Sequence, residues 1–93
     1  MRYLIVTRSR GNAWKPSRSL DEQDAFAEHA AFMNTLVAEG FIVLGGPLDD
    51  EQSTLLIVDA AEAVDARLAG DPWTGMGLLE VRSVQEWEIL LGG

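Results

Sequence analysis

A single histidine, His29, stands in this 93-residue chain, and it is the side chain best suited to move protons. An unperturbed imidazole titrates near pH 6.5, so it can take and return a proton at cellular pH, and a neighbouring carboxylate fixes its tautomer and raises its basicity. The carboxylate to consider is Asp71, in the turn Gly70-Asp71-Pro72-Trp73. Each has a plainer reading. A histidine on an apolar stripe is commonly a hydrogen-bonded core residue, and Asp between a helix-ending Gly and a Pro is ordinary turn chemistry. A third group is the basic stretch Arg8, Arg10, Trp14, Lys15 and Arg18. It reads either as an anion-recognising lid, with arginines gripping a carboxylate or phenolate and Trp14 covering a ring, or as a solvated loop balancing an acidic body.

Other chemistries lack their residues. There is no cysteine, so disulfides, thiolate nucleophiles and cysteine metal sites are excluded. Gly45-Gly46-Pro47 lacks the Lys-Ser/Thr of a phosphate loop and is expected to be a tight turn. Asp49-Asp50-Glu51 has no further histidine to complete a mixed-ligand metal site. Neither a metal nor a cofactor is expected.

The net charge of −8 argues against nucleic acid or an anionic membrane surface as partner, since both are bound chiefly by neutralising phosphates. Five of the seven basic residues precede Ser19 and all fifteen acidic ones follow it, so the first segment is a basic island on an acidic body. The apolar stretch at residues 3–6 is too short for a signal peptide or a membrane span, and a cytoplasmic location is expected. Residues 1–93 are expected to form one domain. A chain of this length buries only roughly 60–65 % of its unfolded surface, so association with a second copy is a natural supplement.

The elements that must position these residues can be read from periodicity. Residues 2–8 are short, β-branched and flanked by charge, which predicts a strand, and residues 9–19 predict an irregular loop. Ser19-Leu20-Asp21-Glu22 has the form of a capping box, so the first helix is expected to open there, with Asp21, Glu22 and Asp24 at its positive end. Phe26, His29, Phe32, Met33, Leu36 and Val37 form one stripe, and Gly40 stops the helix. Residues 41–44 and 54–58 predict a hairpin. Asp59-Ala60-Ala61-Glu62 predicts a cap for a short helix with the apolar face Ala61, Val64 and Leu68, closed by Gly70 and Pro72. Residues 78–84 and 87–91 predict a last strand, irregular around residues 83–86, with Val81 and Trp87 facing a partner sheet.

The order strand, helix, strand, strand, helix, strand predicts an α+β, ferredoxin-like fold with an antiparallel sheet and two helices on one face. That topology gathers the basic loop, the Gly45-Gly46-Pro47 turn and the Asp71 turn around one mouth. His29, two turns into the first helix, lies beneath it on the sheet side.

The early strand, His29 within Glu28-His29-Ala30-Ala31-Phe32, Gly45-Gly46-Pro47, Asp71-Pro72-Trp73 and Trp87, in that order and spacing, resemble the YCII-related (YciI-like) family of the dimeric α/β-barrel group. The resemblance runs nearly the whole length. It implies a ferredoxin-like fold, a homodimer formed by sheet-to-sheet packing and a His/Asp active-site pair, which maps to His29 and Asp71. The family is linked to dehydrochlorination in chlorinated-aromatic breakdown, and its wider fold relatives include cofactor-free isomerases and monooxygenases. The basic, Trp-containing segment 11–19 is long beside the shortest family members.

The expectation is therefore a cofactor-independent enzyme, lyase-like or isomerase-like. His29 moves the proton and Asp71 orients it, on a small, aromatic or enolisable acid held by Arg8, Arg10, Trp14, Arg18, Gly46, Pro47, Pro72 and Trp73. The alternative is a non-catalytic dimer that binds a small ligand or regulates.

Overall fold

The computed structural model describes residues 2–59 and 63–92. Four strands, β1 (Arg2–Arg10), β2 (Ile42–Pro47), β3 (Ser53–Asp59) and β4 (Leu79–Glu88), form one antiparallel sheet in the order β2-β3-β1-β4. Helix α1 (Phe26–Ala38) connects β1 to β2, and α2 (Val64–Leu68) with α3 (Pro72–Gly75) connects β3 to β4. This is the ferredoxin-like arrangement expected from the element order. Among the described residues no helix is long and apolar enough to cross a membrane.

Alternation along the strands decides what the helices cover. Leu4 and Val6 of β1 stand opposite Val58 and Leu56 of β3, and these pack with Leu36 of α1 and Val64 and Leu68 of α2 in one cluster. Both helices therefore lie on one face. Each fully buried aliphatic side chain here contributes about 1.5–3 kcal/mol relative to exposure. Tyr3, Ile5, Leu44, Leu55, Ile57 and Trp87 occupy the opposite face by the same registers, and Leu44 is 68 % exposed there.

Several boundaries differ from the sequence expectations, each for a local reason. The capping box at Ser19 closes only a short 3-10 turn, Leu20–Glu22, and α1 opens at Phe26. Gln23 prevents continuity. It is extended and buried, its side chain donates to the carbonyls of Lys15 and Arg18, and it accepts from the Lys15 N–H, so it serves the loop as a backbone surrogate. Asp24 likewise takes Lys15 (2.7 Å) and Arg18 (3.0 Å) instead of standing in the first turn of α1. Gly40, with φ of 81°, ends the helix as expected.

Gly45-Gly46-Pro47 is not a turn: it is the end of β2, paired with Leu56, Leu55 and Thr54. The turn follows it, where the Asp50 carboxylate accepts from the N–H groups of Gln52 and Ser53. Pro at the edge of a strand lacks only an N–H that its position does not use, which is why β2 can run through Pro47. The cap expected at Asp59-Ala60-Ala61-Glu62, and Ala61 itself, fall outside the described residues; α2 is preceded by Ala63 in the N-cap position. Pro72 opens a helical turn instead of closing one.

The irregularity of the last strand lies at Arg82, since Thr7 pairs with Ser83 and Arg8 with Val81. That one-residue shift moves Val81 opposite Arg8, while Trp87 stands opposite Tyr3, so the two do not share a face as expected.

Candidate functional site

The site is built around a buried carboxylate. Gly70 lets the chain leave α2 against α1, because a Cβ there would come within 2.8 Å of the Phe32 ring. Asp71 follows as the N-cap of α3, its Oδ1 accepting from the Trp73 N–H at 3.0 Å. Its Oδ2 accepts from the Arg8 guanidinium at 2.7 Å, and the side chains of the two are 0 % and 1 % exposed. Arg8 continues the inward alternation of Leu4 and Val6, which drives its guanidinium beneath the helices. There it also donates to Thr74 Oγ1 at 3.2 Å. Burial pushes the Asp71 carboxyl up, but hydrogen bonds from His29, Arg8 and the Trp73 N–H outweigh it and hold the group below the ordinary carboxylate range. Asp71 is therefore ionised and can only accept hydrogen bonds.

That fixes the histidine. His29, one turn into α1, places Nδ1 2.8 Å from Asp71 Oδ1 and 2.9 Å from Oδ2. Against an acceptor-only partner Nδ1 carries the proton, so in the neutral ring Nε2 keeps its lone pair. The ring is also held flat. It stacks on Trp73, with centroids 3.8 Å apart and planes 5° from parallel, and Trp73 is itself fully buried and donates through Nε1 to the Asp24 carbonyl at 2.7 Å. An imidazole clamped through one nitrogen and one face has only Nε2 left to present to the cavity that His29 lines.

The cavity has a volume of about 280 Å³, near the lower end of ligand pockets, which run roughly 300–1,000 Å³. Leu20, Met33, Val37, Ile42 and Leu48 supply apolar walls, and the polar groups reaching it include Arg8, Arg10, His29 and Asn34. The loop after β1 is tied to the start of β4 by Gly11 N–H to the Leu78 carbonyl and Ala13 N–H to the Gly77 carbonyl. This seats Trp14 edge-on to Trp73, with centroids 5.6 Å apart, and Arg10 lies over Trp14 at 4.4 Å. Arg10 has no ion pair among the described residues, so its charge remains available to a ligand.

Comparison with known families bears on the same stretch of chain. A family model for the YCII-related domain matches residues 1–88, which include β1, the loop after it, His29, Asp71 and all of β4. The chain belongs to the YCII-related family. No curated protein and no solved structure matches it.

In this YCII-related domain the residues singled out from sequence do not all converge. Arg8, Arg10, Trp14, His29, Gly46, Pro47 and Trp73 line the cavity, with Asp71 directly behind His29. Arg18 does not line it; it is exposed and paired with Asp24. Pro72 does not line it either, and serves to start α3. Gly46 and Pro47 line it from the end of β2. Arg8, expected to grip a ligand carboxylate, grips the carboxylate of Asp71 instead. Thr74 and Gln23 were not singled out. Thr74 lies one helical step beyond the Asp71 N-cap, and no spacing rule marks a glutamine that substitutes for backbone in a loop.

Proposed function

We propose that this YCII-related domain is a cofactor-independent enzyme in which His29 Nε2 removes or returns a proton on a small, largely apolar acid, with elimination or isomerisation as the outcome. The observation that carries this is the double clamp on the imidazole: Nδ1 on an ionised, buried Asp71 and one ring face on Trp73. A neutral imidazole has one donor and one acceptor nitrogen, and a purely structural histidine uses both, whereas only Nδ1 of His29 has a partner among the described residues. With Nδ1 and one ring face held, Nε2 is the nitrogen left to serve an apolar-walled cavity that Arg10, without an ion pair among the described residues, also lines. Proton abstraction beside a carboxylate builds negative charge, and a cation in a dry cavity stabilises that charge more strongly than one in water. Arg8 neutralises Asp71, so the Arg8–Asp71–imidazole unit carries no net charge while His29 is a base.

The experiment is solvent-deuterium exchange into a panel of 2-oxo, β,γ-unsaturated and chlorinated cyclic acids, followed by proton NMR. Catalysed exchange of a carbon-bound proton in at least one acid is expected. Exchange indistinguishable from buffer across the panel, together with saturable binding of the same acids, favours the second reading, a non-catalytic ligand-binding dimer.

The oligomer proposed is a homodimer packed through the open sheet face. Tyr3, Ile5, Leu44, Leu55 and Trp87 line this face around the buried Ile57, and among the described residues the helices pack on the other face. Trp87→Asp is expected to shift the protein from dimer to monomer in analytical ultracentrifugation. An unchanged sedimentation coefficient overturns the assignment of this face.

A further inference from the structure

Two residues that line the cavity each carry a buried nitrogen donor with no acceptor among the described residues. Arg8 Nε and Trp14 Nε1 are shielded from solvent and make no hydrogen bond among the described residues, and their residues are only 1 % and 8 % exposed. Buried N–H groups are paired in the great majority of cases, so an orphan in a cavity marks a missing partner. The rest of each side chain is occupied. The terminal nitrogens of Arg8 serve Asp71, Thr74 and Met33 Sδ. The Trp14 ring carries Arg10 over it and meets Trp73 edge to face. Trp14 is thus already in use as a ring surface, and what it has left to offer is its N–H.

We infer that Arg8 Nε–H and Trp14 Nε1–H, with Arg10 beside them, form a carboxylate-binding subsite of the cavity next to His29, with which Arg8 shares the Asp71 carboxylate. This rests on the reading of the cavity as a substrate site given above, and adds the orientation of the substrate. Trp73 sets the span. His29 stacks on it at 3.8 Å and Trp14 meets it at 5.6 Å, so the two rings stand no further apart than a small organic molecule reaches. A carboxylate answers all three groups, since it brings negative charge for Arg10 and two oxygens able to accept from both orphaned donors. A neutral acceptor such as an alcohol answers the donors and leaves the cation without a counter-charge.

The test is an NMR titration of the intact protein with sodium benzoate, with benzyl alcohol as the uncharged counterpart. The chain has three indole N–H groups, at Trp14, Trp73 and Trp87. Benzoate is expected to move the Trp14 indole resonance downfield, while that of Trp73, already bonded to the Asp24 carbonyl, stays in place. Benzyl alcohol is expected to leave Trp14 nearly unmoved. Trp14→Phe keeps a ring in the same place without the N–H, and is expected to weaken benzoate binding roughly tenfold, about 1.4 kcal/mol.

Shifts at the His29 ring and the Met33 methyl with Trp14 unmoved overturn the carboxylate subsite while leaving the cavity as a binding site. An equal response to both probes overturns the requirement for charge. No shift at any of these groups overturns the subsite and counts against the cavity reading as well. Should Trp14→Phe fold poorly, the indole shift in the unaltered protein decides alone.

Discussion

Asp71→Ala is expected to destabilise the protein by about 3–5 kcal/mol, the usual cost of removing one member of a buried ion pair. The carboxylate is fully buried and accepts from Arg8, His29 and the Trp73 N–H, so its loss orphans three donors at once. The most costly is Arg8, whose guanidinium is left inside the fold without its counter-charge. Small domains are stable by roughly 0.05–0.15 kcal/mol per residue, so the variant gives up a large share of the total. Urea unfolding followed by circular dichroism reads the effect directly. The double variant Arg8→Met with Asp71→Ala is expected to recover part of the loss, because neither charge then remains buried unpaired. Single variants within about 1 kcal/mol of the wild type would mean that the pair is solvated, and the site as described would be wrong.

Acid should reach the same state by another route. The Asp71 carboxyl is held below its ordinary value, so the stability it contributes is fully present above the unfolded carboxylate pKa, about 4, and is lost as pH falls through the lower folded value. Glu22, Asp24 and Asp50 are lowered too, each by hydrogen bonds to its neighbours. The comparison is therefore between proteins. The wild type is expected to lose stability more steeply below about pH 4 than Asp71→Ala, and the difference isolates Asp71.

His29→Asn carries the largest expected effect on chemistry. General acid–base catalysis by a positioned side chain contributes typically 10²–10⁴-fold, and asparagine cannot accept and return the proton. Deuterium exchange into the responsive acid should fall by that factor. Binding should persist, because Arg10 and the apolar walls are untouched. Asp71→Asn offers a carboxamide whose NH₂ can face the ring and force the proton onto Nε2, removing the lone pair from the cavity side. Its exchange rate is expected to fall by a comparable factor. Exchange that survives His29→Asn unchanged would assign the proton transfer to another group.

How far the site was legible from sequence depends on which kind of signal placed each residue. The stripe Phe26, His29, Phe32, Met33, Leu36 and Val37 is a helical period, and it turns His29 inward even though Val37 at its end is exposed and the helix starts six residues later than its capping box suggests. A capping box reports that backbone donors are satisfied locally, and three residues of 3-10 turn satisfy it as well as a long helix does. The strand order brought Asp71 towards His29 because crossover handedness leaves few arrangements.

Strand alternation marks the role of Arg8 better than its charge does. Its place in the alternation Leu4, Val6, Arg8 put it on the buried face, whereas its company of cations suggested a lid. Composition averaged Arg8, Arg10, Lys15 and Arg18 into one basic island, yet the fold separates them. One neutralises Asp71, one enters the cavity, and two are paired with Asp24 on the surface. The end of β2 departs from its residue propensities for a related reason. Two glycines and a proline are turn residues by propensity, but an edge strand tolerates them where pairing to Leu55 and Leu56 is in register. The Arg82 bulge could not be located to the residue, since one inserted residue changes register without altering composition.

The most direct test of the proton-transfer assignment is the tautomer of His29 in its neutral form, read by long-range proton–nitrogen NMR at alkaline pH. The expected result is a neutral ring protonated at Nδ1, with an unprotonated Nε2 whose nitrogen resonance moves when benzoate enters the cavity. A ring protonated at Nε2, or an Nε2 resonance indifferent to every acid that binds, would contradict it and leave His29 as a structural partner of Asp71.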